Sequence, residues 1–407
     1  MLDVLERKHS KTEAQVKEMP IYKSVEAAQL PDNDVAFAKR VQDCQVDIGA
    51  YEFDAAFAIR PDTTSHPGKA IYYVSFDSPG GDASARSPEN AACRQKLQKV
   101  LDAAGRYKYA LMTDDRYNHG ATLVEGKTTV DPFVADEPNK YWTVEVRLEG
   151  DSTNATWSQD YVAYYTPTRS VKHGTAHYTD NTLDYSFILP HGVQLKGGYT
   201  RDFHHWEDAS GNTVAEGTEG AHVVDDRDPL TFRTVLSGQI TSITGAEGNC
   251  FHVVTFTDDL FETNELMIGE GNHLAAFSAL SDAEAHRAVV DGVFIEDGLA
   301  NSPDEDDRMG AAAVVPSYAH ISNCVVQNNE AKGQGGGLYL KPGALVSGTI
   351  LRNNTADMGG GIYIEAPSDP DSLAHVFATT ICENNANTTA GGMWFSNTYA
   401  RVSSTVI

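Results

Sequence analysis

The pattern of apolar and polar positions repeats three times between residues 321 and 396. The repeats occupy residues 321–340, 346–365 and 378–396. Each contains a short β-branched run, an asparagine pair, a small polar turn, a glycine pair and an apolar–aromatic–apolar triplet. The asparagine pairs begin 25 and 31 residues apart, at Asn328, Asn353 and Asn384. Such a period is typical of a solenoid, in which each turn of the chain is buried only against its neighbours.

The asparagines and glycines are the predicted structural turn residues. Asparagine tolerates the left-handed backbone conformation better than most other residues. We therefore expect Asn328, Asn353 and Asn384 to lie where strands turn, with stacked asparagine side chains hydrogen-bonded in a ladder. The glycine pairs that follow are expected to allow positive φ or a close approach of backbones. These pairs begin at Gly336, Gly360 and Gly391.

The triplets after the glycines predict short strands with two different faces. Side chains alternate along a strand, so the aliphatic residues of each triplet should point into the solenoid and the aromatic residue out of it. The outer row would consist of Tyr339, Tyr363 and Trp394. An exposed row of flat rings is a candidate binding surface for sugars. The alternative is that the rings stack on each other and stabilise the sheet.

These repeats resemble the right-handed parallel β-helix repeats of bacterial surface proteins. They are similar to those of chlamydial polymorphic outer membrane proteins, which pair an asparagine-containing strand end with a glycine-glycine strand start. The resemblance implies an all-β fold, a right-handed parallel β-helix of the pectin-lyase-like type. It also implies a secreted or cell-surface location associated with the outer membrane. A resemblance of this kind indicates fold more than function.

The same resemblance suggests a domain organisation. Residues 30–54 contain the run VDIGAYE, which is similar to the closing segment of such β-helix domains. We therefore interpret residues 1–54 as the end of a preceding β-helix domain. Residues 55–70, rich in Pro, Thr and Ser, are the predicted linker. Residues 71–407 form the main domain, with its repeats at 288–407. Because no closing segment follows these repeats, we expect a longer tandem protein that is truncated here.

One amphipathic helix is predicted at about residues 88–104. Ser87 is suited to its N-cap, Pro88 to its first turn and Gly105 to its end. We expect the helix to cover the N-terminal end of the solenoid; the alternative is a helix that binds a partner. Residues 106–157 do not fit the family pattern and are predicted to be an insertion. Insertions on solenoids often carry binding function, although a purely decorative loop remains the alternative.

The composition restricts the partners. The 407 residues include 57 acidic and 31 basic ones, giving a net charge of −26. A nucleic-acid partner is therefore not expected, because a polyanion requires a basic surface. The five cysteines are scattered and form no Cys-x-x-Cys motif, so no zinc or redox site is predicted. No apolar run reaches the length of a transmembrane helix.

The motifs for chemistry are weak. Four Asp-Asp pairs occur, but none is followed by the further motifs of pectinase-type hydrolases, and we expect no catalytic role for them. They begin at Asp114, Asp225, Asp258 and Asp306. His204, His205 and Glu207 suggest a metal, but adjacent residues of a strand point in opposite directions. The acidic run Asp304–Asp307 suggests calcium without the spacing of a known calcium loop. No other cofactor is predicted.

The sequence therefore favours a non-enzymatic, adhesin-like β-helix repeat protein that binds glycans or proteins. The alternative is a polysaccharide lyase or glycoside hydrolase on the same fold, which would need convergent acid and base residues. A third interpretation is a structural stalk that spaces other domains.

Overall fold

The computed structural model describes residues 59–76, 83–113, 142–151, 163–169, 182–240, 248–257, 287–369, 372–396 and 399–407. It also describes the backbone of two short antiparallel strand pairs, Val41–Gln42 with Gln45–Val46 and Ala121–Val124 with Lys127–Val130. The described residues are mostly strands in parallel sheets, with few helices. The predicted all-β class is confirmed at this level.

The largest sheet, called the first sheet here, contains parallel strands from most of the chain. In spatial order they are Arg401–Ser403, His375–Phe377, Leu345–Ser347, Ala319–Ser322, Ala288–Asp291, Val193–Glu207, Thr143–Glu149, Lys69–Ser75 and Ala92–Cys93. Strand Val193–Glu207 extends beyond its parallel neighbours and pairs antiparallel with Thr213–Val214 and His222–Arg227. These antiparallel strands form an arm at one edge of the stacked strands.

Three further parallel sheets complete the structure. The second sheet contains Thr380–Cys382, Ile350–Arg352, Val325–Gln327, Phe294–Glu296, Thr234–Ser237 and Ala163–Tyr165. The third contains Met393–Phe395, Ile362–Ile364, Leu338–Leu340, Ala313–Val315, Val254–Thr257 and Phe187–Pro190. The fourth contains Leu299–Ala300, Glu330–Ala331, Thr355–Met358 and Asn385–Thr389. Short 3-10 helices lie at Pro88–Asn90, Arg94–Lys96, Thr182–Asp184 and Asp306–Arg308.

From residue 288 onward, the chain visits the sheets repeatedly in one order. Each visit adds a strand that pairs in parallel with the strand of the previous visit. The strand register stacks side chains of the same type from successive visits on one another. Val326, Leu351 and Ile381 form one buried column, and Leu338, Ile362 and Met393 form another. The predicted inward position of the triplet residues Leu338, Ile362 and Met393 is confirmed.

A ladder of asparagine side chains connects successive strand turns. The Asn329 Nδ2 donates to Asn354 Oδ1 at 3.0 Å, and the Asn354 Nδ2 donates to Asn384 Oδ1 at 2.9 Å. Asn329 and Asn354 are fully buried. The chemistry of the ladder was predicted, but the strand register aligns Asn384 with Asn354 and not with Asn353.

The left-handed turn positions differ from the prediction at the third repeat. Asn328 and Asn353 have φ values of 56° and 54°, as expected. The equivalent residue of the third repeat is Glu383, with φ 56°, since register pairs Arg352 with Cys382. Asn384 lies between strands Thr380–Cys382 and Asn385–Thr389, as predicted, and belongs to the ladder, but the left-handed conformation expected for it was wrong.

The glycine pairs are explained by close backbone approach. A Cβ atom on Gly360 would lie 2.1 Å from the Asn385 carbonyl oxygen, and one on Gly336 would lie 2.3 Å from that of Thr355. A Cβ atom on Gly391 would lie 2.4 Å from the Asn384 carbonyl oxygen. The turns at these sites can pack only because the residues have no side chain.

The helix lies later in the chain than predicted. It spans Leu97–Thr113, where residues 88–104 were expected. The extended pair Ala92–Cys93, which joins the first sheet, and the 3-10 helix Arg94–Lys96 lie between the 3-10 helix Pro88–Asn90 and the α-helix. Gly105 lies inside the α-helix. The helix packs against the third-sheet strand Phe187–Pro190. There the Gln98 side chain donates to the Ile188 carbonyl at 3.0 Å and accepts from the Ile188 N–H at 2.9 Å.

The segment predicted as an insertion contains a central strand. Thr143–Glu149 lies between Lys69–Ser75 and Val193–Glu207 and pairs in parallel with both. Val144, Val146 and Leu148 are buried in the core. Residues 142–151 of the predicted insertion are therefore part of the sheet framework, while residues 131–141 lie outside the described residues.

The other face of this strand carries a buried charged cluster. Glu145 accepts from the Arg147 Nη2 at 2.9 Å, from the Lys196 Nζ at 2.8 Å and pairs with the Lys69 Nζ at 3.0 Å. The Arg147 Nη1 lies 2.7 Å from Asp225 Oδ1, which belongs to the arm. Glu145 and Arg147 are at most 1 % exposed. The cluster fastens the arm to the first sheet with charge-assisted hydrogen bonds.

Part of the predicted linker packs on this cluster. The His66 Nε2 lies 2.8 Å from Asp225 Oδ1, and Asp62 forms an antiparallel bridge with Ile71. The Tyr73 hydroxyl donates to Asp62 Oδ2 at 3.0 Å. Residues 59–68 are thus part of the sheet edge and not a free connection.

Candidate functional site

A cleft of about 450 Å³ opens beside Ala163–Tyr165, the edge strand of the second sheet. The 3-10 helix Arg94–Lys96 supplies one part of its wall, and the end of strand Thr234–Ser237 supplies another. Among the described residues, those that line it have polar side chains, and one of them, Tyr164, is aromatic. The principal ones are Arg94, Tyr164, Thr166, Thr168, Ser237 and Gln239.

Two planar groups in the cleft are held by packing. The Arg94 guanidinium lies over the ring of Phe76, 4.1 Å from its centroid, which fixes the plane of the cation. Tyr164 is half-buried and packs against a small apolar cluster on the outer face of the second sheet. That cluster consists of Val235, Phe294 and Val325. An aromatic ring and a cation are therefore presented with little freedom to move.

Glu296 ends strand Phe294–Glu296, which lies two strands from Tyr164 in the second sheet, on the far side of Thr234–Ser237. The Glu296 carboxylate accepts from the Gln327 Nε2 at 2.6 Å and from the Arg233 Nη2 at 3.2 Å. Burial raises the pKa of Tyr164, and the Glu296 carboxylate adds to the rise. Burial raises the pKa of Glu296 above its usual range, although the donors from Gln327 and Arg233 oppose this change.

Asp297 lies behind Ser237. The Ser237 Oγ donates to Asp297 Oδ2 at 3.0 Å and accepts from the Gln239 N–H at 3.2 Å. Burial raises the pKa of Asp297, and the hydrogen bond from Ser237 offsets only part of the rise. Asp297 has φ 66°, the left-handed turn conformation that Asn328 and Asn353 share in the later turns.

The predicted aromatic row exists as a column in the third sheet. Tyr339 pairs with Tyr363, and Tyr363 with Trp394. The two tyrosine rings are stacked, with centroids 5.1 Å apart and planes 13° apart. They are only 9 % and 8 % exposed, and Trp394 is half-buried. Mutual stacking, the alternative interpretation, therefore describes Tyr339 and Tyr363, which present little ring surface to a sugar.

The histidine motif does not converge. His204 lies against His66, with ring centroids 5.3 Å apart, and its neighbour His205 interacts on the arm. There the His205 Nε2 lies 2.8 Å from Glu207 Oε1, and its Nδ1 lies 2.7 Å from Asp226 Oδ1. The hydrogen bond to Glu207 is the largest cause of a raised pKa at His205. His205 thus lies between two carboxylates that favour its protonated form.

Asp225 and Asp307, each a member of an Asp-Asp pair, have structural partners. Asp225 binds Arg147 and His66, as stated above, while Asp307 lies 3.6 Å from the His252 Nε2. The Arg308 Nε donates to the Ser302 carbonyl at 2.7 Å and so folds the acidic run 304–307 back on itself. The pairs at Asp114 and Asp258 lie outside the described residues. Within the described part of the chain, no group of three or more His, Cys, Asp or Glu residues could hold a metal ion.

The sequence did not predict the cleft. Its wall combines residues from the 3-10 helix, an edge strand and a strand end that are far apart in the chain. The only signal in the sequence was the Glu296-Asp297 pair, which places two adjacent carboxylates at the end of strand Phe294–Glu296.

No family model, no curated protein and no solved structure matches the chain. Among the residues that the structure describes, no helix is both long enough and apolar enough to span a membrane.

Proposed function

We propose that the chain is a right-handed parallel β-helix whose cleft binds a glycan without cleaving it. The cleft at Tyr164 carries this proposal, because it combines an aromatic ring, a fixed guanidinium and several hydroxyl and amide groups. A sugar offers an apolar C–H face for the ring and many hydroxyls for the polar groups. Pockets with convergent polar groups around an apolar surface are the usual sites for small ligands.

The β-helix part of the proposal is supported by the repeated order in which the chain visits its parallel sheets. The asparagine ladder and the glycine contacts link successive visits, as a solenoid of stacked turns requires. The protein would be part of a secreted or surface-anchored bacterial adhesin, in agreement with the resemblance of its repeats. Its net charge of −26 suits an extracellular, solvated surface.

The positions and hydrogen bonds of the Glu296 and Asp297 carboxylates favour binding over catalysis. Glycosidases need two carboxyl groups that flank the sugar and exchange protons with it. The described residues that line the cleft include no carboxylate. Glu296 and Asp297 lie behind the lining and are occupied by the donors described above. A polysaccharide lyase or glycoside hydrolase remains the alternative function.

The proposal predicts that Tyr164→Ala weakens glycan binding at least about tenfold, the loss expected when a stacked ring and its hydrogen bond are removed. The unmodified protein is titrated by calorimetry against neutral and acidic oligosaccharides, with and without calcium. Tyr399→Ala is the control, because Tyr399 is 85 % exposed and lies outside the cleft. Calcium dependence would support the calcium binding that the acidic run Asp304–Asp307 suggests.

Two results would contradict the proposal. One is the absence of binding to every glycan, which would leave a protein adhesin or a structural stalk. The other is the release of new reducing ends or unsaturated uronates, which would establish the enzyme alternative.

A further inference from the structure

Two consecutive carboxyl side chains lie behind two hydroxyl groups of the cleft. We propose that Glu296 and Asp297 are positioning residues that draw the hydroxyl protons of Tyr164 and Ser237 away from the cleft, so that this wall accepts hydrogen bonds from sugar hydroxyls. This inference rests on the proposed glycan binding and names the chemistry by which the same site selects its ligand.

The hydrogen-bond partners of Glu296 define the direction of the Tyr164 hydroxyl proton. The Gln327 amide and the Arg233 guanidinium both donate to Glu296, so this carboxyl acts as an ionised acceptor. A hydrogen bond between Tyr164 and this carboxyl can use only the phenolic proton, and burial and the charge of Glu296 both raise the pKa of Tyr164 and so keep that proton in place. The phenolic oxygen keeps its lone pairs, and these are the polar atoms that the ring offers to a ligand.

The direction of the Ser237 hydroxyl proton follows from the number of hydrogen bonds that this hydroxyl group can form. A hydroxyl group has one proton and two lone pairs. The proton goes to Asp297 at 3.0 Å, and one lone pair accepts from the Gln239 N–H at 3.2 Å. One lone pair remains for the cleft, so Ser237 also offers an acceptor.

The ligand must therefore place hydroxyl donors against Tyr164 and Ser237. The Arg94 guanidinium, which also lines the cleft, has only donors and would receive a ring oxygen, a hydroxyl oxygen or a carboxylate. A polyhydroxylated sugar supplies both kinds of group within one residue. An apolar peptide or a ligand with acceptors alone would leave the wall unsatisfied and would be rejected.

The arrangement makes binding depend on pH. A protonated carboxyl can donate to the hydroxyl oxygen and so turn the hydroxyl proton toward the cleft. Burial raises the pKa of both groups, the negative charge of Asp297 adds to the rise at Glu296, and the positive charge of Arg233 opposes it. Protonation on acidification therefore begins at higher pH than for ordinary carboxyl groups. Glycan affinity should fall as the pH is lowered from 7 toward 4.5.

The test replaces both carboxyls by amides, in the double variant Glu296→Gln, Asp297→Asn. The neighbouring turn of the chain already has Gln327 and Asn328 at the register-equivalent positions, and Asn328 has φ 56°, so the fold should accept both changes. An amide both donates and accepts, so the two hydroxyl protons lose their fixed direction. Should the double variant fail to fold by circular dichroism, Asp297→Asn alone is used.

The expected result is about tenfold weaker binding of the best oligosaccharide at pH 7, as for the loss of one or two oriented hydrogen bonds. The affinity should also no longer change between pH 7 and 4.5. Glu330→Gln, at an exposed site, should keep the affinity and its pH dependence. A purely structural role for the acids would lower the affinity and leave the pH dependence in place.

An unchanged affinity or an unchanged pH profile in the amide variant would overturn this inference while glycan binding itself stood. If the unmodified protein bound no oligosaccharide, the proposed function would fall and the inference with it.

Discussion

Replacing Asn354 by alanine should lower the free energy of unfolding by about 4 kcal/mol, because several buried hydrogen bonds are lost and their partners are left unsatisfied. The Asn354 Nδ2 donates to the Val326 carbonyl and to Asn384 Oδ1, both at 2.9 Å. Its Oδ1 accepts from the backbone and side-chain nitrogens of Asn329 at 3.1 and 3.0 Å. The substitution therefore interrupts the ladder at its central member.

The measurement is urea-induced unfolding followed by circular dichroism at pH 7. Asn387→Ala is the matched control, since Asn387 is exposed and makes one side-chain hydrogen bond, to Asp357 at 3.1 Å. The control should lose less than about 0.5 kcal/mol. A loss below about 1 kcal/mol for Asn354→Ala would show that the ladder contributes little to stability.

The second large effect is expected from Glu145→Gln. The change leaves Arg147 fully buried with Asp225 as its remaining carboxylate, and it leaves Lys196 without an anionic partner in this cluster. Removing one member of a buried ion pair typically costs about 3 kcal/mol or more, because the other charge stays buried without compensation. We expect a loss of about 3 kcal/mol at pH 7, measured as the free energy of unfolding in urea.

The loss should shrink in acid. Burial alone would raise the pKa of Glu145, but the charges of Arg147, Lys196 and Lys69 outweigh burial and hold the pKa well below its usual value of 4.5. A group with a lowered folded-state pKa stabilises the fold above its unfolded pKa and loses this contribution as the pH falls. At pH 3 the difference between the two proteins should be smaller by about 2 kcal/mol.

Glu216→Gln, at an exposed position of the arm, controls for the loss of one acidic residue. It should leave stability nearly unchanged at both pH values. A difference between Glu145→Gln and the unmodified protein that stays constant from pH 7 to 3 would refute the role given to the cluster.

The repeats show what a sequence pattern can predict. Alternating side chains and spaced asparagines correctly indicated parallel strands, an inward aliphatic face and an asparagine ladder. The pattern failed to predict the backbone conformation of Asn384, because it treated the first asparagine of each pair as the equivalent position in all three repeats. The strand register is fixed instead by buried side chains such as Leu351 and Ile381, and these place Glu383 at the turn.

The cleft and the charged cluster depended on tertiary contacts that local patterns do not encode. Strand Thr143–Glu149 was assigned to an insertion because residues 106–157 do not fit the pattern of the family that the repeats resemble. Its outer face carries Glu145 and Arg147, residue types that usually face solvent. Their burial is possible only because Lys69, Lys196 and Asp225 approach from other segments. For the same reason, no spacing in the sequence indicated that Arg94 and Gln239 share a wall.

The Gln98 side chain forms the two backbone hydrogen bonds that a neighbouring strand would form at the edge of the third sheet. Its amide occupies the N–H and carbonyl groups of Ile188 that a neighbouring chain would need for pairing. Recruitment of a foreign β-strand at this edge would therefore require the helix to detach first. Loss of this amide would leave the N–H and carbonyl groups of Ile188 without these partners, and the packed helix alone would then keep another chain from pairing with the edge.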